Sequence, residues 1–284
     1  LYLWAEGFDY GVFLDDDTRP HADWDFFGRH LANLGATEGV EVRSSDQHWV
    51  NVLADVPYDL YPRGYPYAAM GERAERTAGG RTDVVASQGL WTDVPDLDAA
   101  RILSEGDLRG QSDVRLDADD YGEDFLVAPG HYLTVCSMNL AFRREVIPAF
   151  YQFPMDDNEW DVGRFDDIWS GVLLKRAADV LGKSIRSGAP LCRHHKAPRS
   201  TFDDLAAEAP ALELNEHLWR VVDRAGGDAE TPAGVARAVA DALRDADEEW
   251  RNADFLAHCG DYLADWVDCL DELAPLPRAA DRQI

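Results

Sequence analysis

The chain has 284 residues and a formal net charge of −27, from 54 Asp+Glu against 27 Lys+Arg. That charge excludes a nucleic-acid binder, which needs a basic footprint, and disfavours an anionic membrane surface. Hydrophobic residues make up 46%, enough for a sizeable core, and no window approaches the ~18 uninterrupted apolar residues of a transmembrane helix.

The acids are mostly Asp, and the cations are almost all Arg: the only lysines are Lys175, Lys183 and Lys196. Self-repulsion at this density weakens a compact state in dilute buffer. Molar salt shortens the Debye length to about 3 Å and screens it. The composition therefore reads as salt-adapted. Four cysteines without a CxxC give no disulfide framework or zinc knuckle, so a reducing cytoplasm is the expected compartment.

In chain order, Leu1–Gly7 reads as the end of an amphipathic helix, which implies a longer N-terminus than Leu1. Phe8–Leu14 reads as a buried strand, Trp24–Leu34 as a helix and His48–Leu53 as a short strand. Tyr58–Tyr67 is an aromatic loop. Arg73–Arg81, polar with a Gly-Gly pair, reads as a mobile insertion. Val84–Trp91 is strand-like, Asp93–Asp98 a loop, and Leu133–Arg143 a strand leading into a helix near Arg144–Phe150. After a loop at Asp156–Phe165, Asp167–Gly182 has the spacing of a helix, with Ile168, Val172, Leu173, Ala177, Val180 and Leu181 on one face. Ser184–Cys192 is a strand. Strands alternating with helices predict α/β architecture.

From Phe202 the pattern is helical, broken at Ala225–Pro232 and resuming as Gly234–Trp250 and Asp254–Leu273. The expected division is a catalytic domain at 1–200 and a C-terminal helical appendage at 201–284. The stripe of Phe255, Leu256, Leu263, Trp266, Val267 and Leu270 suits packing on the main domain, or a homo-oligomer or hetero-complex contact.

Asp15-Asp16-Asp17 directly follows an apolar strand. It places concentrated negative charge at the carboxyl end of a sheet, where α/β folds bind ligands. Hard oxygen ligands favour Mg²⁺ or Mn²⁺, with ligand phosphates completing the shell. This is the arrangement of the DxD element in nucleotide-sugar glycosyltransferases. Asp166 and Asp167 open the predicted helix, where capping explains at least one of them. The preceding Asn139-Leu140-Ala141-Phe142-Arg143-Arg144 makes the pair similar to that of inverting glycosyltransferases. In Arg193-His194-His195-Lys196-Ala197, a histidine can complete a metal shell and Lys196 can hold a diphosphate. Arg63-Gly64-Tyr65-Pro66-Tyr67 offers a guanidinium to phosphate or sugar.

Together with Gly89-Leu90-Trp91, Pro95-Asp96 and Cys136-Ser137-Met138-Asn139, these motifs run in the order of one family. The chain resembles the reversibly glycosylated polypeptides, which include UDP-arabinopyranose mutases, over roughly residues 8–200. Ser137 stands where the family has Gly, and His195 where it has Ser.

The resemblance implies a GT-A-like, Rossmann-like nucleotide-sugar fold, here lacking its first strands. It implies a UDP-sugar substrate, a divalent metal and reversible glycosylation of Arg63. By position, Arg63, Asp166 and Asp167 are the expected catalytic residues. Asp15, Asp16, Trp91, Asn139 and Lys196 are expected at the nucleotide-sugar, and Asp15, Asp17 and His194 at the metal. An inverting transferase with an external acceptor, or a non-catalytic sugar-nucleotide binder, are the rival functions.

Overall fold

The computed structural model describes residues 1–246 and 249–273, without the side chains of residues 190 and 191. In chain order the elements are α1 (Tyr2–Glu6), β1 (Tyr10–Leu14), β2 (Thr18–Pro20), α2 (Phe26–Asn33), β3 (Gly35–Thr37), β4 (Glu41–Ser45), β5 (Trp49–Val50), β6 (Ala74–Ala78), β7 (Thr82–Asp93), α3 (Ala99–Glu105), β8 (Phe125–Val127), β9 (Tyr132–Leu133) and β10 (Asn139–Arg143). A 3₁₀ segment, Arg144–Ala149, stands where the sequence predicts a helix. Then come α4 (Asp166–Val180), β11 (Ser184–His194), α5 (Thr201–Arg224), α6 (Pro232–Arg244) and α7 (Ala253–Glu272).

One mixed sheet runs in the order β1-β10-β7-β11-β8-β4-β6, with β2 added to β11 and β3 to β7. The long central strands β7 and β11 are parallel, while β10 runs antiparallel to both of its neighbours, β1 and β7. Helices pack around this sheet, so the fold is α/β, of the GT-A-like, Rossmann-related kind. Among the described residues no helix is long and apolar enough to cross a membrane.

Central β7 is buried from Val84 to Thr92, as expected of a strand covered on both faces. Helix α4 is the hub. It is buried from Asp167 through Lys175, so its surround is wider than the single apolar face its spacing predicts. Its N-terminus meets the Arg63 loop, where Gly64 has φ 87° and a Cβ there would come within 2.3 Å of Ile168. Only Gly fits that position.

Phe255, Leu256, Leu263, Val267 and Leu270 are all buried, and Trp266 stacks on Tyr151. The C-terminal stripe thus lies on the main domain, in one core cluster with the residues of β7 and α4.

Three expectations need correction. β1 is not a buried strand: it forms the sheet edge, with Tyr10, Val12 and Leu14 exposed and only Gly11 buried. Residues 73–81 are not a mobile insertion, because Ala74–Ala78 is β6, paired in full register with β4. All five of its residues are exposed, and a solvated edge strand carries no apolar alternation to announce it. Helix α6 ends at Arg244. Its expected continuation to Trp250 crosses residues 247–248, which lie outside the described residues.

Candidate functional site

The aspartate triplet turns sharply between β1 and β2. The Thr18 N–H and Oγ both donate to the Asp15 carbonyl, at 3.1 and 2.8 Å. The turn sends the two outer carboxylates to different neighbours. Asp15 accepts from Ser137 Oγ at 3.1 Å, whereas Asp17 Oδ2 lies 3.5 Å from His194 Nε2. Asp16 stays exposed.

Arg63 is 8% exposed, on the loop against the start of α4. Its Nε donates to Asp96 at 3.1 Å, and its Nη1 and Nη2 fork onto Asp167 at 3.3 and 3.1 Å. Nη1 also donates to the Arg164 carbonyl. Burial works against the charge, but Asp167 first, then Asp96 and Glu208, outweigh it and raise the guanidinium pKa well above its ordinary value. The bidentate pairing explains why arginine, rather than lysine, occupies this place.

Around that clamp the titration behaviour diverges. Burial alone would raise Asp96, yet Arg63, Lys196 and His194 hold it at about 2. Burial, followed by the charge of Asp167, pushes Asp15 up to about 6 despite Ser137 and Arg63. The same two causes raise Asp166. Asp17 is lowered, chiefly by the hydrogen bond that a protonated His194 donates to it. Lys196, Nζ 3.9 Å from Asp96, is lowered by burial against the pull of that carboxylate. Carboxyls pushed in opposite directions within one cleft are the pattern of an acid–base site.

Two adjoining cavities hold these groups. The inner one, about 280 Å³, is lined by Asp15, Arg63, Ser137, Arg164, Asp166, Asp167 and Arg199. The outer one, about 440 Å³, is lined by Asp16, Asp17, Arg19, His195, Ala197 and Arg199. Arg199 borders both. A larger hollow of about 560 Å³ at Trp4, Tyr10 and Arg144 holds none of the expected residues.

The three expected metal ligands do not form one set. Among the described residues, no group of three or more His, Cys, Asp or Glu gathers closely enough to hold a metal ion. The reason is the turn, which commits Asp15 to Ser137. What remains is a pair. His194 Nδ1 must donate to the Val94 carbonyl, 2.7 Å away, so a neutral ring presents its Nε2 lone pair to the Asp17 carboxylate. Two facing lone pairs repel unless a cation or proton lies between them. One imidazole nitrogen beside one carboxylate oxygen suits Mn²⁺ better than Mg²⁺, which favours an all-oxygen shell, and phosphate oxygens or water would have to fill most positions.

Trp91 and Asn139 do not line either cavity. Trp91 is buried in the core. Asn139 is fully buried and spends its amide on structure: Oδ1 meets His30 Nε2 at 2.8 Å, and Nδ2 donates to the Leu90 carbonyl at 2.9 Å. A Cβ on Gly89 would come within 2.4 Å of that amide. These motif residues tie β10, β7 and α2 together.

Sequence patterning gave no role to Asp96, Ser137, Arg164, Arg199 or Glu208. Glu208, on α5, is 1% exposed. One of its oxygens accepts from Arg164 Nε at 2.8 Å, and the other from the Ala99 N–H at 2.7 Å. It thereby fixes the residue whose carbonyl grips Arg63 and caps α3, next to the Asp96 loop. A glutamate in the second turn of an acidic helix carries no local signal of this; only Pro95-Asp96, at a strand-to-helix junction, offered a hint.

Comparison with known proteins supports the family resemblance. A family model described as "Reversibly glycosylated polypeptide" matches residues 23–274. The "Probable UDP-arabinopyranose mutase 2" of Solanum tuberosum is 30% identical over 253 residues, covering 87% of this chain and 62% of that protein. The "UDP-arabinopyranose mutase 1" of Oryza sativa subsp. japonica is 27% identical over 261 residues, covering 86% and 66%. Its Arabidopsis thaliana namesake is 29% identical over 257 residues, covering 85% and 66%. The chain thus spans a little under two thirds of the length of the curated relatives it matches. With most of its length under the family model, the chain belongs to the reversibly glycosylated polypeptide family.

Proposed function

We propose that this chain carries the sugar-transfer site of a UDP-sugar mutase, in which the sugar is held reversibly on Arg63. The observation that carries this reading is the hydrogen inventory of the guanidinium. Of its five N–H groups, Nε–H goes to Asp96, both Nη1 hydrogens go to Arg164 and Asp167, and one Nη2 hydrogen goes to Asp167. One Nη2 hydrogen has no partner among the described residues, and Arg63 lines the inner cavity. Nη2 is therefore the nitrogen open to a sugar.

In the forward step, Nη2 bonds the anomeric carbon as the carbon–oxygen bond to diphosphate breaks. UDP leaves with the electron pair. The Nη2 proton passes to Asp167, whose Oδ2 is 3.1 Å away. The attached sugar is an N-glycoside. Nitrogen can expel the ring oxygen, which takes a proton from Asp166, and a different hydroxyl can close the ring and return it. Attack by the diphosphate reverses the first step and releases UDP-sugar in the other ring form. Asp17 and His194 would hold the divalent ion, which when bound neutralises charge on the leaving diphosphate. Lys196 and Arg199 would add to that neutralisation.

The test is incubation with Mn²⁺ and radiolabelled UDP-arabinopyranose in molar NaCl. Expected results are label on the peptide containing Arg63, its loss on a chase with excess UDP, and UDP-arabinofuranose among the products. Transfer to an added acceptor, with no label on Arg63 and no furanose, refutes the reading.

A further inference from the structure

In a chain with two acidic residues per basic one, one face of the β2–β11 pair is basic. Arg19 and Arg193 stand directly opposite each other in the antiparallel register, and both are exposed. Like charges in directly opposed positions destabilise a strand pair. Neither guanidinium has an ion pair or hydrogen bond with the described residues, although 54 acids were available.

His21 continues that face. Its Nε2 lies 2.9 Å from Thr92 Oγ, and Thr92 is the β7 neighbour of Arg193. His195 adds a fourth basic side chain at the other end, its N–H bonded to the Asp17 carbonyl at 2.7 Å. Asp23 is the carboxylate within electrostatic reach of His21, whose pKa is lowered first by burial and then by Arg193.

A close, tilted aromatic pair closes the strip, its ring planes 36° apart. The Trp24 and His21 ring centroids are 3.9 Å apart. The chain has nine tryptophans, and the other eight lie in or against the hydrophobic core. Trp24 alone does not, and it is half-exposed. An indole held out of the core on a histidine is a surface on which a planar ring can stack.

Arg19 and His195 also line the outer cavity beside Asp16 and Asp17. From His195 to Arg193 is about 7 Å along the strand. Oxyanion-binding groups therefore run from the cavity towards the indole in the order in which a nucleotide presents diphosphate, ribose and base.

We propose that the β2–β11 face is a nucleoside-diphosphate site, with phosphate oxygens on Arg19, Arg193 and His195 and the base stacked on Trp24. The inference rests on the reading above that the ligand is a nucleotide-sugar, and it assigns residues to the nucleotide half. The site explains why two arginines are left facing each other: a phosphate between them turns a repulsive pair into two charge-assisted hydrogen bonds.

The test is calorimetric titration of the whole chain with UDP, inorganic pyrophosphate and uridine, in buffer with Mn²⁺ at low salt. The variants are Arg19→Ala/Arg193→Ala and Trp24→Ala. UDP should bind at least about tenfold more weakly to each variant, the scale of one charge-assisted hydrogen bond or one stacked base. Pyrophosphate should weaken only with the double arginine variant, and Trp24 emission should be quenched by UDP and uridine. The thermal midpoint of the arginine variant should hold or rise, since a repulsion is removed. UDP binding with unchanged affinity to both variants overturns the inference while leaving the Arg63 chemistry standing. The expected losses in a chain that never labels Arg63 or converts UDP-arabinose would keep this site and overturn the mutase reading. If the parent binds neither UDP nor pyrophosphate, both fall.

Discussion

Asp15→Asn should change how stability depends on pH, in a direction fixed by the structure. The carboxyl sits at about 6 in the folded chain against an ordinary 3.8, through burial and then Asp167. Between those values the folded state binds more protons than the unfolded state. Stability contributed by the protonated carboxyl is complete below about 3.8 and is lost as pH rises through about 6. The interval corresponds to about 3 kcal/mol in full. Asp15 is only partly buried, so solvent screening cuts this to about 1–2 kcal/mol. Asparagine keeps the size and can still accept from Ser137 Oγ, so the variant should match the parent near pH 4 and exceed it by about 1–2 kcal/mol at pH 7.5. Urea unfolding at fixed salt with EDTA, followed by tryptophan fluorescence from pH 4 to 8, measures this. Parallel stability curves would show that Asp15 does not feel Asp167 and would break the geometry drawn for the inner cavity.

Glu208→Ala leaves the Ala99 N–H without its acceptor and Arg164 with Asp204 alone at 3.4 Å. The expected loss is about 3–5 kcal/mol, with Glu208→Gln losing about half; a shift in the urea midpoint worth under about 1 kcal/mol would contradict it. Arg63→Lys cannot reproduce the fork onto Asp167 together with the bond to Asp96. It should lose about 2–4 kcal/mol and all sugar label, and retained label on another residue would move the acceptor elsewhere. The thermal midpoint of the parent should climb with NaCl up to molar concentrations, and a midpoint indifferent to salt would refute the reading of the acidic coat.

The long elements were legible because their patterns are strong. Val84–Trp91 and Ser184–Cys192 read as strands and became β7 and β11, and the spacing of Ile168, Val172 and Ala177 became α4. Short strands were not: β4 is Glu-Val-Arg-Ser-Ser, and it is held by β6 and β8 rather than by its own propensity. Among the site residues, Asp15, Asp16, Asp17, Arg63, Asp166, Asp167, His194 and Lys196 all lie at the two cavities or directly beside them. Trp91 and Asn139 line neither cavity, and the sequence could not show this for a physical reason. In a strand buried on both faces, period-two alternation vanishes, so nothing local separates a side chain aimed at a ligand from one aimed at a helix. Asp96 and Glu208 were hidden because their roles come from pairing across the fold, Glu208 reaching Arg164 over 44 residues and Ala99 over 109.

The same charge count has opposite consequences at the surface and in the cleft. Exposed pairs such as Arg237 with Asp268 and Asp271 stabilise little, and salt removes most of what they give. Salt also removes the repulsion among the unpaired acids, which is the larger effect for a chain at −27. The clamp on Arg63 is buried and in direct contact, so a Debye length of about 3 Å leaves it intact. Arg19 and Arg193 are exposed, so their hold on an anion weakens as the fold gains. Rising salt should therefore transfer the binding of a nucleotide-sugar from the exposed arginines to the buried groups around Asp17, His194 and Lys196. The fold and the ligand site then set opposing limits on the salt at which this chain works. Measured side by side, the Arg19→Ala/Arg193→Ala penalty should shrink over the same range in which the thermal midpoint climbs.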